Sequence, residues 1–365
     1  MKVAFITRAT LYKVHGGGGV QIIETAKYLQ KLGIKVNIYL TNEKISYEEF
    51  DLLHFFDIIR PANILYHIKK TNKPFVISPI LVNYSEYDSQ YRKGISGLIF
   101  RSFSASANEY IKTILRWILR KDVLQSKAYI WKGHKKSIKE ILQKVNTILP
   151  NSKAEYEQLK KLYSTYKPYI IVPNGIDEKL FYADSSFVKD EKLIICAARI
   201  EGIKNQLNLI KALNNTDFRL LLIGEAAPNQ KDYYRRCRKM AAKNVEFIGR
   251  VSQQELVGYY NKAKVHALPS WFETCGLSSL EAAAMGCNIV ITEKGYTRDY
   301  FGNDAFYCDP ETAGSIYHAV SRAAESVHTK KLQEKILQQY TWQRTAAITF
   351  EAYKKIINAL KATQV

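Results

Sequence analysis

The chain has 365 residues, 47 % of them hydrophobic, with 54 Lys and Arg against 34 Asp and Glu and a net charge of +20. That length suits about two domains, the apolar fraction is ample for two buried cores, and the excess positive charge calls for an anionic partner. The cysteines at 196, 237, 275, 287 and 308 are odd in number and widely spaced, which excludes a zinc-ligand pattern and reads as reduced thiols in a cytoplasmic protein.

Met1 leads almost directly into the apolar VAFIT, which leaves no room for a signal peptide. No apolar run reaches the roughly 20 residues of a membrane-spanning helix. Short apolar runs alternate with longer helical patterns, and this predicts a parallel sheet covered on both faces. The predicted strands of the first half are VAFIT, KVNIYL, LLHFF, FVISPIL, TILPN and YIIVPN. Those of the second are LIICAAR, FRLLLIG, VEFIG, KVHALP, NIVIT and AFYCD. Pro168 and the VPNGID turn separate the two series and set a hinge near residues 168 to 185. The expected α/β architecture is two Rossmann-like domains, 1–170 and 171–342, facing each other across a cleft.

HGGGGV at 15–20 follows the first strand and opens the helical VQIIETAKYLQKLG. Four successive glycines are costly in chain entropy, and at the carboxyl end of a strand they suit either a structural turn or close approach of backbone to a ligand. A dinucleotide-binding loop fails on detail, because the spacing is not GxGxxG and the second strand runs out in YLTN without an acid. His54, beside Phe55 and Phe56 at a strand end, is either a packed core residue or a histidine of the site.

Residues 94–145 carry eleven Lys and Arg against the acids Glu109, Asp122 and Glu140. Within them Ile111, Ile114, Leu115, Ile118 and Leu119 recur at helical spacing, with Arg116, Arg120 and Lys121 beside them and Trp117 available for an interface. Such a helix is either an ordinary core element or a basic amphipathic segment that lies on an anionic bilayer.

Arg199 and Lys204 follow the first strand of the second half, where side chains point into the crevice of an open sheet. Taken alone, an Arg and a Lys near a loop would be solvated surface charge; two fixed cations in a crevice could instead stabilise an anionic leaving group such as a diphosphate, most strongly in the transition state. Glu273 and Glu281 lie in PSWFETCGLSSLEAAAMGCNIVIT, the first in a loop and the second on an alanine-rich helix. Gly276 then falls at the helix N-terminus, where unpaired N–H groups attract phosphate. Taken alone, the two acids would be a loop acid and a solvated helix acid. A phosphate between two carboxylates makes sense when it carries a sugar on the Glu273 side and a ribose on the Glu281 side.

These motifs, with VPNGID at 172–177, ARIEGIKNQ at 198–206, LLLIGEAAP at 220–228 and the closing YTWQRTAAITFEAYKKI, resemble a retaining glycosyltransferase of the GT-B fold. The family is glycosyltransferase family 4, the glycosyl transferases group 1. The resemblance implies transfer of a sugar from a UDP-sugar or GDP-sugar to a hydroxyl of a glycan or lipid-linked acceptor, in cell-surface polysaccharide or glycolipid biosynthesis. It implies no cofactor and no metal, and front-face attack with retained anomeric configuration. Glu273, Arg199 and Lys204 would be catalytic. Gly16, Gly17, Gly18, Gly19, Arg250, Val251, Cys275, Gly276, Leu277, Ser278 and Glu281 would bind the donor. A last helix, about 343–365, would cross back onto the N-terminal domain.

The resemblance weakens in the first half, where FVISPILVNYSEYD lacks the histidine that many members carry after the fourth strand. Asn83, Tyr84 and Glu86 stand there as acceptor contacts. The expected location is cytoplasmic, peripheral on the inner face of the membrane. Two other readings are a nucleotide-sugar epimerase of the same architecture, which needs no acceptor, and a basic nucleic-acid binder. The latter lacks a recognition motif and any interleaved basic and aromatic stripe.

Overall fold

The computed structural model describes residues 1–12, 16–84, 87, 104–119, 123–183, 188–327 and 330–363. The chain divides into two compact units, Met1–Asn174 with Trp342–Val365, and Gly175–Thr341.

In the first unit β1 (Lys2–Thr7), β2 (Lys35–Leu40), β3 (Leu52–Phe56), β4 (Phe75–Ser78) and β5 (Thr147–Ile148) form a parallel sheet in the order β2-β1-β3-β4-β5. The uninterrupted apolar character of β1, β3 and β4 follows from burial on both faces. Helices α1 (Gly17–Lys31), α2 (Pro61–Ile68), α3 (Ala105–Ile118), α4 (Ala128–Lys144) and α5 (Lys153–Tyr163) accompany it. Gly133 takes φ 71 inside α4 and kinks it.

Three predicted elements differ. FVISPIL stops as a strand at Ser78, because Pro79 has no N–H for the ladder and Ile80 turns to φ 46. YIIVPN is no strand; Tyr169 makes one bridge to Ile148, and although Ile170 N and Val172 N donate to Ile148 O and Pro150 O, Pro150 has no N–H to return a bond. Gly17 to Gly19 form the first turn of α1 rather than a preceding loop, since the Gly16 carbonyl accepts from Gly19 N at 2.9 Å and Val20 N at 3.2 Å.

In the second unit β6 (Asp190–Ala197), α6 (Gln206–Leu213), β7 (Arg219–Ile223), α7 (Lys231–Met240), β8 (Val245–Gly249) and α8 (Gln253–Lys262) alternate. They continue through β9 (Ala263–Leu268), α9 (Leu277–Ala284), β10 (Asn288–Thr292), α10 (Thr297–Phe301), β11 (Phe306–Cys308), α11 (Ala313–Glu325) and α12 (Lys330–Gln339). The parallel sheet runs β11-β10-β9-β6-β7-β8. The chain therefore grows outward from β6 to β8, then restarts at β9 on the other side of β6.

The last helix, α13 (Trp342–Thr363), belongs to the first unit and packs on α1. Its Tyr353 hydroxyl meets His54 Nδ1 at 2.6 Å, while His54 Nε2 meets Ser78 Oγ at 2.9 Å and the ring stacks on Phe56. Burial lowers the His54 pKa to about 3, so it is a neutral, fully bonded core residue. All five cysteines are free and buried. Among the described residues no helix is long and apolar enough to cross a membrane.

Candidate active site

In an open parallel sheet, ligands bind beyond the carboxyl ends of the strands where the strand order reverses. In the second unit that point lies between β6 and β9. Arg199 and Lys204 leave β6 there, and Glu273 and Gly276 leave β9. Two bonds tie the exits together: Trp271 N donates to Ile203 O at 2.8 Å, and Asn205 Nδ2 donates to Pro269 O at 3.0 Å. Asn205 sits at φ 59 and is fully buried, and its amide also reaches Pro310 O at 2.7 Å. The β7 exit crowds the same place. A Cβ at Gly224, which has φ 144, would lie 2.1 Å from Ala198 O, so only glycine fits.

The Lys204 ammonium bonds the Glu273 carboxylate, in side chains 23 % and 6 % exposed. Ser270 Oγ donates to the same Glu273 oxygen, Oε1, at 2.8 Å. Oε2 has no partner among the described residues, and an ammonium has further N–H groups to give. Burial pulls the Lys204 pKa down, but Glu273 and Glu201 outweigh it and raise the pKa, so the side chain stays cationic. Arg199 Nη2 pairs with Glu201 at 2.7 Å, and its backbone carbonyl is held by Gln206 Nε2 at 2.9 Å. Gly295, at φ 116, lies so close over the Glu273 backbone that a Cβ would come within 1.9 Å of its carbonyl oxygen. Tyr296 N donates to that oxygen at 2.9 Å, fixing the acid from above.

Gly276 caps α9 in the left-handed conformation at φ 67. Its carbonyl accepts from Ser279 N and Leu280 N, which leaves the Leu277 and Ser278 N–H groups without acceptors among the described residues. Cys275, just before them, is buried. One turn along α9, Glu281 Oε2 accepts from the Tyr260 hydroxyl at 3.3 Å; that hydroxyl also lies 3.1 Å from Ser278 O. Burial pushes the Glu281 carboxyl up to about 8, with the Tyr260 bond opposing it. Lys189 anchors the carboxyl ends of α8 and α9 together, donating to Tyr260 O at 2.9 Å, Ala263 O at 3.1 Å and Met285 O at 3.0 Å. A cation at two helix C-termini is electrostatically favoured. Arg250 and Val251 follow the edge strand β8, and among the described residues no hydrogen bond links them to this group.

Sequence reasoning missed Ser270, Tyr260, Lys189, Gly224 and Gly295. The two glycines had a signal, each following an apolar strand run, whereas nothing local marks Lys189.

In the first unit, Gly17, Gly18 and Gly19 follow the β1 exit, beside the reversal between β1 and β3. A Cβ would meet only ordinary contacts at Gly18 and Gly19, 3.6 Å or more away, so packing does not require glycine at those two positions. Ile80, a β-branched residue strained at φ 46, lies against Gly18. The buried Glu155 carboxylate accepts from Leu81 N at 2.6 Å and Asn151 N at 2.5 Å, and Asn151 pairs reciprocally with Gln21 of α1. One acid thus fixes the exits of β4 and β5. Asn83 and Tyr84 line a cavity of about 240 Å³ just beyond Leu81. Glu86 lies outside the described residues.

Residues 177–339 match the family described as glycosyl transferases group 1. Over 96 % of this chain and 97 % of the other, the sequence is 24 % identical to N-acetylgalactosamine-N,N'-diacetylbacillosaminyl-diphospho-undecaprenol 4-alpha-N-acetylgalactosaminyltransferase of Campylobacter jejuni. It is 26 % identical to D-inositol 3-phosphate glycosyltransferase of an Arthrobacter species, over 60 % of this chain and 58 % of that one. Among solved structures, sucrose-phosphate synthase from Thermosynechococcus elongatus superposes with a TM-score of 0.75 at 16 % identity, covering 98 % of this chain and 99 % of the other. HepE of Anabaena in complex with UDP-glucose superposes with a TM-score of 0.62 at 14 % identity, covering 100 % and 99 %.

Proposed function

We propose that the chain, which is a GT-B glycosyltransferase of group 1, moves a sugar from a nucleoside diphosphate sugar to a hydroxyl acceptor with retention of anomeric configuration. The observation that carries this reading is the Lys204–Glu273 pair, set at the switch point of the second sheet beside the open N–H groups of α9. The diphosphate accepts from Leu277 N, Ser278 N, the remaining Lys204 N–H groups and Arg199. These donors neutralise it without a metal. Glu281 accepts from the ribose hydroxyls, and Glu273 Oε2 accepts from a hydroxyl of the transferred sugar. A structural neighbour crystallised with UDP-glucose supports a nucleotide-sugar donor.

Chemistry follows from the placement of charge. As the bond from the anomeric carbon to the phosphate oxygen breaks, negative charge grows on the diphosphate, where Lys204 and Arg199 stabilise it more than in the ground state. The acceptor hydroxyl attacks the same face, its oxygen bonds the anomeric carbon, and its proton passes to the leaving phosphate. Both carboxylates come from one loop and helix of one unit and flank the donor, unlike the opposed pair of a retaining hydrolase.

The acceptor belongs to cell-surface polysaccharide or glycolipid synthesis, and the protein acts in the cytoplasm against the inner face of the membrane. The relative from Campylobacter jejuni is named for a diphospho-undecaprenol-linked acceptor. Helix α3 leaves Leu115, Trp117 and Ile118 exposed at its end, with Leu119 and Val123 exposed beyond it. Ile111 and Ile114 are only half-buried. An exposed apolar end on a strongly basic segment favours an anionic bilayer over a core role. Arg120 and Lys121, part of that segment, lie outside the described residues.

The test is a calorimetric titration with UDP and GDP, followed by NMR of the product anomer with the nucleotide sugar that binds. Binding of neither nucleotide removes the donor assignment. An inverted anomer removes the retaining mechanism.

A further inference from the structure

The cavity of about 240 Å³ in the first unit is enclosed by α3, the kinked part of α4, α5 and the chain beyond β4. Ile59, Leu81, Val82, Leu162 and Tyr163 make one wall apolar. The same lining carries polar atoms without partners among the described residues. His134 is 4 % exposed; its Nδ1 meets the Tyr129 hydroxyl at 3.0 Å, and its Nε2 has no partner among the described residues. Ser106 Oγ is buried and also without a partner among them. The kink at Gly133 is what turns His134 out of the regular helix at this point.

Charge decides what fits. Burial lowers the His134 pKa to about 4, with Glu109 opposing weakly, so the ring offers a neutral contact. Glu109 is already neutralised by Lys112 at 2.7 Å, and Lys135 is exposed at the rim. An anion entering the cavity would lose its water, and the buried Lys112 beside it is already paired with Glu109. A sugar bearing only hydroxyls brings no methyl group to the apolar wall and so gains less by entering. An acylamido group offers one donor, one acceptor and a methyl group, which matches a lining that is part polar and part apolar.

We propose that this cavity is the acceptor subsite for an uncharged acylamido sugar, its amide held by His134 and Ser106 and its acyl methyl packed on Leu81, Val82 and Leu162. The inference rests on the reading of the first unit as the acceptor side.

Saturation-transfer NMR on the full chain tests it, with methyl N-acetylglucosaminide, methyl glucoside and glucuronic acid as probes. The acetamido probe is expected to bind about tenfold tighter than methyl glucoside, with transfer strongest at its methyl group. Val82→Trp, which fills the cavity, should abolish that transfer. Should it fail to fold, His134→Leu decides, with an expected weakening of about three- to tenfold. Equal binding of the first two probes, preference for glucuronic acid, no binding of any probe, or transfer unchanged in the variants each overturns the proposal. Nucleoside diphosphate titrated in parallel separates the two ideas: its loss in the wild-type chain defeats the donor reading, whereas intact nucleotide binding without an acetamido preference defeats this one alone.

Discussion

The two units place their polar groups differently. In the second, Lys204, Ser270, Glu273 and Gly276 stand on two short strand exits drawn together by Asn205 and by glycines at 224 and 295. In the first, His134, Ser106, Asn83 and Tyr84 come from two helices and the chain beyond β4, gathered around a cavity. A charge-handling site needs fixed backbone and close approach, and few residue types satisfy it. A site for an uncharged group can be assembled from whatever side chains line a gap, so the second kind varies where the first cannot.

The sharpest way to break this contrast is Lys204→Ala. It removes a cation that faces growing charge and leaves the buried Glu273 without a counter-charge, its carboxylate held only by Ser270 Oγ among the described residues. Turnover should fall about 10²- to 10³-fold, and Lys204→Arg should not restore it, since a planar fork cannot sit where a compact ammonium does. Near-normal steady-state kinetics would place the pair outside the reaction. On the other unit, changing Arg116, Arg120 and Lys121 together to Glu should cost about 3 kcal/mol or more of binding to anionic vesicles. A wild-type chain that stays in the supernatant with such vesicles at low salt defeats that surface.

Above about pH 8, where Glu281 is ionised, Glu281→Ala should weaken nucleoside diphosphate binding by roughly 1.5–3 kcal/mol. Glu273→Gln should leave that affinity nearly intact while lowering turnover. Calorimetry that finds the reverse order would exchange the two roles. A smaller effect is expected in the core of the first unit, where Tyr353→Phe leaves His54 Nδ1 unpaired. The loss of stability should be about 1–2 kcal/mol in denaturant unfolding.

The ligand-free chain should also show a marked dependence of stability on pH. Burial raises Glu155 to about 7 and Glu281 to about 8, from 4.5. Each keeps its proton in the folded chain after the unfolded chain has lost it, so each contributes a loss of stability as pH rises from about 4.5 to its folded value. His54, His67, His134 and His266 are lowered by burial from 6.5. They act in the opposite sense, losing stability as pH falls below that value. Stability should therefore peak at about pH 6.5, where the histidines cease to titrate and the glutamates still oppose. Glu155→Gln should flatten the alkaline limb up to about pH 7 and Glu281→Gln up to about pH 8. An unchanged limb in both variants would show that these carboxyls ionise freely.

Both sheets were legible in the chain because strands buried on both faces leave runs such as LLHFF and NIVIT that few other structures use. The close of each strand was less so. Ser78 ends β4 because of Pro79, and β5 likewise stops short of Pro150, which has no N–H for the ladder. The loop with Glu273 and the helix with Glu281 were readable from a proline, a glycine and an alanine-rich stretch. Their supports were not. Lys189 reaches carbonyls 71 to 96 residues away, and Tyr260 meets Glu281 across 21. No local pattern carries such distances. The cavity was invisible for the same reason, since it is a gap between helices rather than a property of any one of them.

Helix α13 gives the chain a direction in time. The first unit needs Trp342–Val365 to be whole, and His54 waits for Tyr353, 299 residues later. During synthesis the second unit, an unbroken stretch, can therefore finish before the unit that begins the polypeptide. Until α13 has emerged from the ribosome, the surface that it covers on α1 lies open, a stage at which exposed apolar surface invites aggregation.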